Sequence, residues 1–329
     1  MLRAIILSLV AFLANEASAA DTPRAEIVKA LDLLVAKDYA AARAIVEPLA
    51  SSGDRDARHM LAYLEQHGLG GPKNLLHAIE LYYDAAVAGS ADSQYALGDL
   101  AFSGDGVKQD YGRAAGWLQM AAGQSHAGAL TRLGQMHGDG LGVPKDARLA
   151  ATLFGRAADK GDPSAEYFLG NAYLAGEGVK QGFKEAAAFY TRASEKGHAD
   201  AQYNLALLYD SDRLGPPNAE KTYGWMRAAA DAGLPEAMVA IGLMAHNGKA
   251  KGEKAGDWFE KAAKAGDAQG QFLYAVALAQ GDGRPKDPAQ ALMWLDRAVA
   301  AGDDLPQNMR VNAGELRASL IAASGGFRD

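Results

Sequence analysis

Large apolar residues recur along the chain at a period of 36, in a column that reads Ile45, Leu81, Trp117, Leu153, Phe189, Trp225, Trp258 and Trp294. One interval is shorter: Trp225 and Trp258 stand 33 apart, which is read as a shorter turn at Asn247–Gly252. Three residues ahead of each member stands a small side chain, Ala42, Ala78, Ala114, Ala150, Ala186, Thr222, Ala255 and Ala291. Seven ahead stand Asp38, Asn74, Asp110, Asp146, Gly182, Asn218, Lys251 and Asp287. Most of these are residue types that satisfy the free N–H groups of a helix start, so a helix is predicted to open there in every unit. It runs through small pairs such as Ala85-Ala86 and Ala121-Ala122, and the column packs as core. It stops at Gly53, Gly89, Gly161, Gly197, Gly233, Gly266 and Gly302, because glycine accepts the left-handed conformation that closes a helix. Ser125 takes that place once.

A second helix is predicted to start within about two residues of each stop. Pro163 and Pro235 fall in its first turn, where a missing N–H costs nothing. Asp56, Asp92, Asp200 and Glu236 follow, favoured by the positive end of the helix dipole. This helix carries the doublets Leu61-Ala62, Leu97-Gly98, Leu133-Gly134, Leu169-Gly170, Leu205-Ala206, Ile241-Gly242 and Tyr274-Ala275, then ends in turns such as Gly104-Asp105-Gly106-Val107. A hairpin of this size cannot bury its apolar stripe alone, so units must share a core with their neighbours. The predicted fold is all-α: a right-handed superhelical solenoid of stacked antiparallel helix hairpins. The expected organisation is a degenerate helix pair over 20–52, with its second helix opening at Asp38, repeats over 53–302, a capping helix over 303–320 and a flexible tail over 321–329.

Ala91-Asp92-Ser93-Gln94-Tyr95-Ala96-Leu97-Gly98, continued through Gly104-Asp105-Gly106-Val107 to Ala114, Trp117 and Ala121-Ala122, resembles the Sel-1-like repeat family, a branch of the tetratricopeptide-type solenoids. Ala199-Asp200-Ala201-Gln202-Tyr203-Asn204-Leu205 repeats the likeness, which extends over about residues 53–302. The resemblance implies a scaffold or adaptor that binds a partner protein or peptide, with exported bacterial members in envelope signalling, envelope assembly or host contact. It also implies an alternative, because cysteine-rich relatives are associated with β-lactam binding or cell-wall chemistry. This chain departs from that group in having no cysteine. Further departures are Ser125, the turn near Lys249–Gly252 and Pro216-Pro217.

Residues 1–19 change the picture of where the chain works. Arg3, the apolar run Ala4–Ala14 and Ala17-Ser18-Ala19 have the three parts of a cleaved secretory signal, and the run is too short to serve as a transmembrane anchor. Export is therefore expected, to the periplasm or beyond. With no cysteine, neither a lipid anchor nor a disulfide is available, and stability must come from burial. A hydrophobic share of 49% supplies that core. The formal net charge is −7 and Lys and Arg form no run, so the basic footprint of a nucleic-acid binder is missing.

The chain contains no complete catalytic or cofactor signature. There is no G-x-S-x-G elbow, no H-E-x-x-H, and no Ser with Lys three residues later. The seven histidines are scattered over different repeats and are read as surface or turn residues. Gly138-Asp139-Gly140-Leu141-Gly142-Val143 follows a helix rather than a strand and lacks the Lys-Ser/Thr pair of a phosphate loop. No enzyme, cofactor or metal is predicted. The doublet-bearing helices are expected to line the inner face of the solenoid, where Glu65, His137, Asn171, Tyr173, Asn204 and Tyr209 are the candidate partner-binding residues. The alternative for Tyr173 and Tyr209 is packing between units.

Overall fold

The computed structural model describes residues 22–282 and 284–325. Residues 1–19, read above as a secretory signal, lie outside them, as do residues 326–329 of the expected tail. The described chain is all helical: α1 Thr22–Val35, α2 Tyr39–Ser51, α3 Arg55–His67, α4 Leu75–Val87, α5 Ala91–Ser103, α6 Tyr111–Gly123, α7 Ala127–Asp139, α8 Ala147–Ala158, α9 Pro163–Ala175, α10 Phe183–Glu195, α11 Ala199–Asp210, α12 Ala219–Asp231, α13 Pro235–His246, α14 Ala255–Lys264, α15 Ala268–Gln280, α16 Pro288–Ala300 and α17 Gln307–Gly325. Consecutive helices pack as hairpins and successive hairpins stack, so the fold is an all-α solenoid of the expected class. The chain divides into two compact units. The first holds α1–α8, the start of α9 as far as Ala165 and the turn residues Glu177–Val179; the second holds the rest of α9 and α10–α17.

Local chemistry sets the helix ends. Asp38, Asn74, Asp110, Asp146, Asn218 and Asp287 each accept a backbone N–H of the first turn of α2, α4, α6, α8, α12 and α16. The residues that close these helices take positive φ, between +82° and +98° at Gly53, Gly89, Gly161 and Gly233. Ser125 adopts the same left-handed conformation at φ +63° without being glycine, as does Lys37 after α1.

Three expectations need correction. The 33-residue repeat does not have a shorter turn. Its helix α14 has only 10 residues and opens at Lys254 instead of Lys251, with no side-chain cap. Here Gly248 and Gly252 both take positive φ and Ala250 is buried, so the turn folds inward and takes over what would be the first turn of the helix. The final helix continues to Gly325, past Leu320, which is still buried against α15 and α16. Residues 321–325 are therefore helical.

The third correction concerns the core. Leu153, Trp258 and Trp294 are buried as expected, but Ile45, Leu81, Trp117, Phe189 and Trp225 are only half-buried. The continuous core column lies one residue further along: Val46, Tyr82, Leu118, Phe154, Tyr190, Met226, Phe259 and Leu295 are all buried. Where the second residue of the doublet is glycine, it receives one of these side chains. A Cβ at Gly98, Gly134 or Gly170 would come within 2.7, 2.6 and 2.6 Å of Leu118, Phe154 and Tyr190 respectively. The glycine is thus a hole and the column residue the knob that fills it, at the close packing of a protein interior.

Candidate functional site

Within each unit, doublet-bearing helices of successive repeats meet through side chains 33 or 34 residues apart. Within the first unit, His59 Nδ1 and Ser93 Oγ are 2.9 Å apart, His126 Nε2 donates to Asp92 at 3.2 Å, and Arg132 donates to Asp99 at 2.7 Å. Within the second, Asn204 Nδ2 lies 3.3 Å from Asn171 Oδ1. Asp99–Arg132 in the first unit and Asn171–Asn204 in the second occupy the same position in the repeat, rungs of the same register with different chemistry.

The structure brings Asn171 and Asn204 together through a third residue that sequence reading did not single out. Tyr190 Oη donates to Asn171 Oδ1 at 2.5 Å from inside the core, where its ring fills the hole at Gly170. Burial pushes the Tyr190 phenol up, with Asn204 opposing, so the phenol remains a proton donor. Tyr173 stacks on Phe189 with ring centres 5.6 Å apart, and the Arg192 guanidinium lies over the Phe189 ring, 5.3 Å from its centre. Tyr209 carries the Lys221 ammonium 4.7 Å from its ring centre. Both tyrosines are half-buried and pack on the core of their unit, leaving their remaining surface open.

Glu65 and His137 belong to the first unit. Glu65 is buried and accepts from Arg43 at 2.9 Å and from His77 at 2.6 Å, which ties α2, α3 and α4 together. His137 is half-buried, with Nδ1 3.1 Å from the Pro144 carbonyl across its turn.

The histidines are not all surface or turn residues. His59 is buried against Ser93 and against the Tyr82 ring at 5.5 Å. Burial lowers its pKa, and the neighbouring carboxylates Asp92 and Asp56 only partly oppose this, so it is held neutral. Burial acts to raise the pKa of Asp92, but the His126 hydrogen bond and the surrounding positive potential, to which Arg55 contributes, outweigh it and leave it lowered. The Ser93–His59 contact has the pairing of a nucleophile and its base, yet neither side chain is open to a substrate. His126 also accepts the Ala129 N–H through Nδ1, so it caps α7 and holds Asp92 at once. Complementary residue types spaced by 33 or 34 were the available signal for these rungs.

Seven consecutive matches to the Sel1 repeat model cover residues 55–90, 91–126, 127–162, 163–198, 199–234, 235–267 and 268–303. The chain belongs to the Sel1 repeat family, whose members are generally protein-interaction scaffolds rather than catalysts. It is similar to a Sel1 repeat protein from Oxalobacter formigenes, at 27% identity over 83% of this chain and 96% of that one, with a TM-score of 0.61. A protective antigen of uropathogenic Escherichia coli strains has the same fold at 23% identity, over 92% of this chain and 80% of its own, with a TM-score of 0.58. No match is found among curated proteins. Among the described residues, no helix is long and apolar enough to cross a membrane.

Proposed function

We propose that this protein is an exported scaffold that holds a partner protein or peptide against the face built by its doublet-bearing helices. The supporting observation is the ladder itself. Core positions keep large apolar side chains in every repeat, while the rung positions change from Asp99–Arg132 to Asn171–Asn204. A fixed frame with variable side chains at one register is how a repeat protein gains specificity without altering its fold. Asn171, Tyr173, Asn204 and Tyr209 are the recognition residues in this reading, with the tyrosines as rigid amphipathic anchors. Glu65 and His137 contribute at the edges of the first unit's face, and Glu65 does so through the Arg43 and His77 groups it holds. Export rests on the Arg3, Ala4–Ala14 and Ala17-Ser18-Ala19 pattern, and places the partner in the bacterial envelope or outside the cell.

Photo-crosslinking residues placed singly at Asn204 and Tyr209 in intact cells test the reading. The expected result is one stoichiometric adduct from both sites that is absent when the crosslinker replaces the exposed Glu220 on the other helix of the hairpin. Equal capture at Glu220, or no specific adduct at either site, rejects the scaffold function. The mass of the protein recovered from the envelope fraction tests export, since cleavage after Ala19 leaves Ala20 as the first residue.

A further inference from the structure

Basic residues are sorted by helix in the second unit. The doublet-bearing helices α9, α11, α13 and α15 carry Glu166, Asp200, Asp210 and Glu236 and not one Lys or Arg. Their hairpin partners α10, α12, α14 and α16 carry seven Lys and Arg between them, balanced by seven Asp and Glu. Glu166 is buried and paired with Arg192 and Lys196, so the exposed charges on the doublet helices, Asp200, Asp210 and Glu236, are all negative.

The same face is apolar at its centre. The register that pairs Asn171 with Asn204 sets Leu207 opposite Ala240 and, across the shorter sixth repeat, Leu243 opposite Leu273. Leu207 is 45% exposed and Leu243 39%, although Leu205, Leu208 and Ile241 on the same helices are buried. Helical spacing of four and then three residues aligns Asp200, Asn204 and Leu207 on α11, and Glu236, Ala240 and Leu243 on α13. Two successive helices thus present the same stripe, with an acid at the N-terminal end and an exposed leucine toward the C-terminal end.

We propose that this face binds a cationic amphipathic helix, with two apolar side chains seated on Leu207 and Leu243 and Lys or Arg beside them meeting Asp200, Asp210 and Glu236. The inference deepens the scaffold reading and rests on it. Packed neighbouring helices lie about 8–10 Å apart, so the two leucines define anchor points at roughly that separation. Residues i and i+7 of a helix share a face and are about 10 Å apart along its axis, which fits one helix lying across both. The negative rim selects the sign of the ligand and repels anionic partners.

The probe is an 18-residue fluorescent peptide with leucines along one helical face and lysines on its flanks, titrated against the full-length exported chain by anisotropy. Two controls share its length: one with glutamate in place of lysine, one with the leucines scrambled off the common face. The lysine peptide is expected to bind at least about tenfold tighter than either. Leu207→Ala with Leu243→Ala should weaken it about tenfold, by removing apolar area from the contact. Asp200→Asn with Glu236→Gln should weaken it and flatten its salt dependence. Glu220→Gln on α12 should change nothing. All these sites are exposed and the variants keep their helices, which circular dichroism checks. Equal binding of the glutamate or scrambled peptide, no binding of the lysine peptide, or indifference to the leucine pair overturns the proposal. A crosslinked partner at Asn204 that the lysine peptide fails to displace also overturns it while leaving the scaffold standing. Loss of specific crosslinking removes the scaffold reading itself.

Discussion

Ser125 occupies a backbone conformation that glycine holds in the other repeats, at φ +63°. A left-handed residue with a Cβ costs about 1–2 kcal/mol, and glycine would regain part of that while adding freedom to the unfolded chain. Ser125→Gly is therefore expected to raise the unfolding free energy by about 0.5–1 kcal/mol in urea titrations. His59 gives the residue-scale pH response. Its folded pKa lies below that of the unfolded chain because the buried ring resists charging. Its contribution is complete above the unfolded value near 6.5 and is lost as pH falls toward the folded value, since the unfolded chain takes up the proton first. Between pH 7 and pH 5 the melting temperature of the wild type should fall more steeply than that of His59→Gln, whose neutral amide can still meet Ser93. Parallel pH profiles for the two proteins would show that His59 is not the group responsible. Asp92 acts lower on the scale: its depressed pKa gives stability that is lost only below the ordinary carboxylate range.

At the scale of the helix pair, the hole and its knob determine what substitution does. Gly170→Ala places a methyl group 2.6 Å from the Tyr190 ring and should cost about 1–3 kcal/mol while displacing the phenol from Asn171. Gly116→Ala on α6, whose added Cβ would meet nothing within 4 Å, should instead stabilise by about 0.5–1 kcal/mol. Thermal melts of both variants check the pair, and a neutral Gly170→Ala would mean that the hairpin is not closed by this contact. The same geometry explains why the sequence showed one column and the core uses the next. Four tryptophans draw attention to the column at Trp117, whereas Val46, Tyr82, Leu118, Phe154, Tyr190, Met226, Phe259 and Leu295 share only size and burial. A hole accepts volume, not a chemical type, so this column has no repeated letter to notice. The helix starts were legible because Asp and Asn caps act locally. The short α14 was not, since its opening at Lys254 depends on an uncapped turn folding inward around Ala250.

For the molecule as a whole, repeats that touch only their neighbours make damage local. Leu118→Ala removes a fully buried side chain and should cost about 2–5 kcal/mol. Hydrogen exchange should then rise in α5, α6 and α7 and stay at the wild-type rate in α13–α16. Uniform acceleration would contradict neighbour-limited stability. The repeat architecture and its period were readable from one sequence, because every unit states the same rule again. The candidate site was readable only in part: Asn171 and Asn204 do meet, but the residue that joins them, Tyr190, sits on the other helix of the hairpin and gave no sign of reaching across.

The sorting of basic residues in the second unit also affects how its surface can be probed chemically. With no Lys or Arg inside α9, α11, α13 or α15, amine-directed labels find nothing to react with on these helices, and trypsin releases each as one uncut peptide. A footprint built on lysine chemistry would sample these helices only through side chains that reach them from their hairpin partners, such as Lys221 on Tyr209. Carboxyl-directed reagents, aimed at Asp200, Asp210 and Glu236, would not be blind in this way.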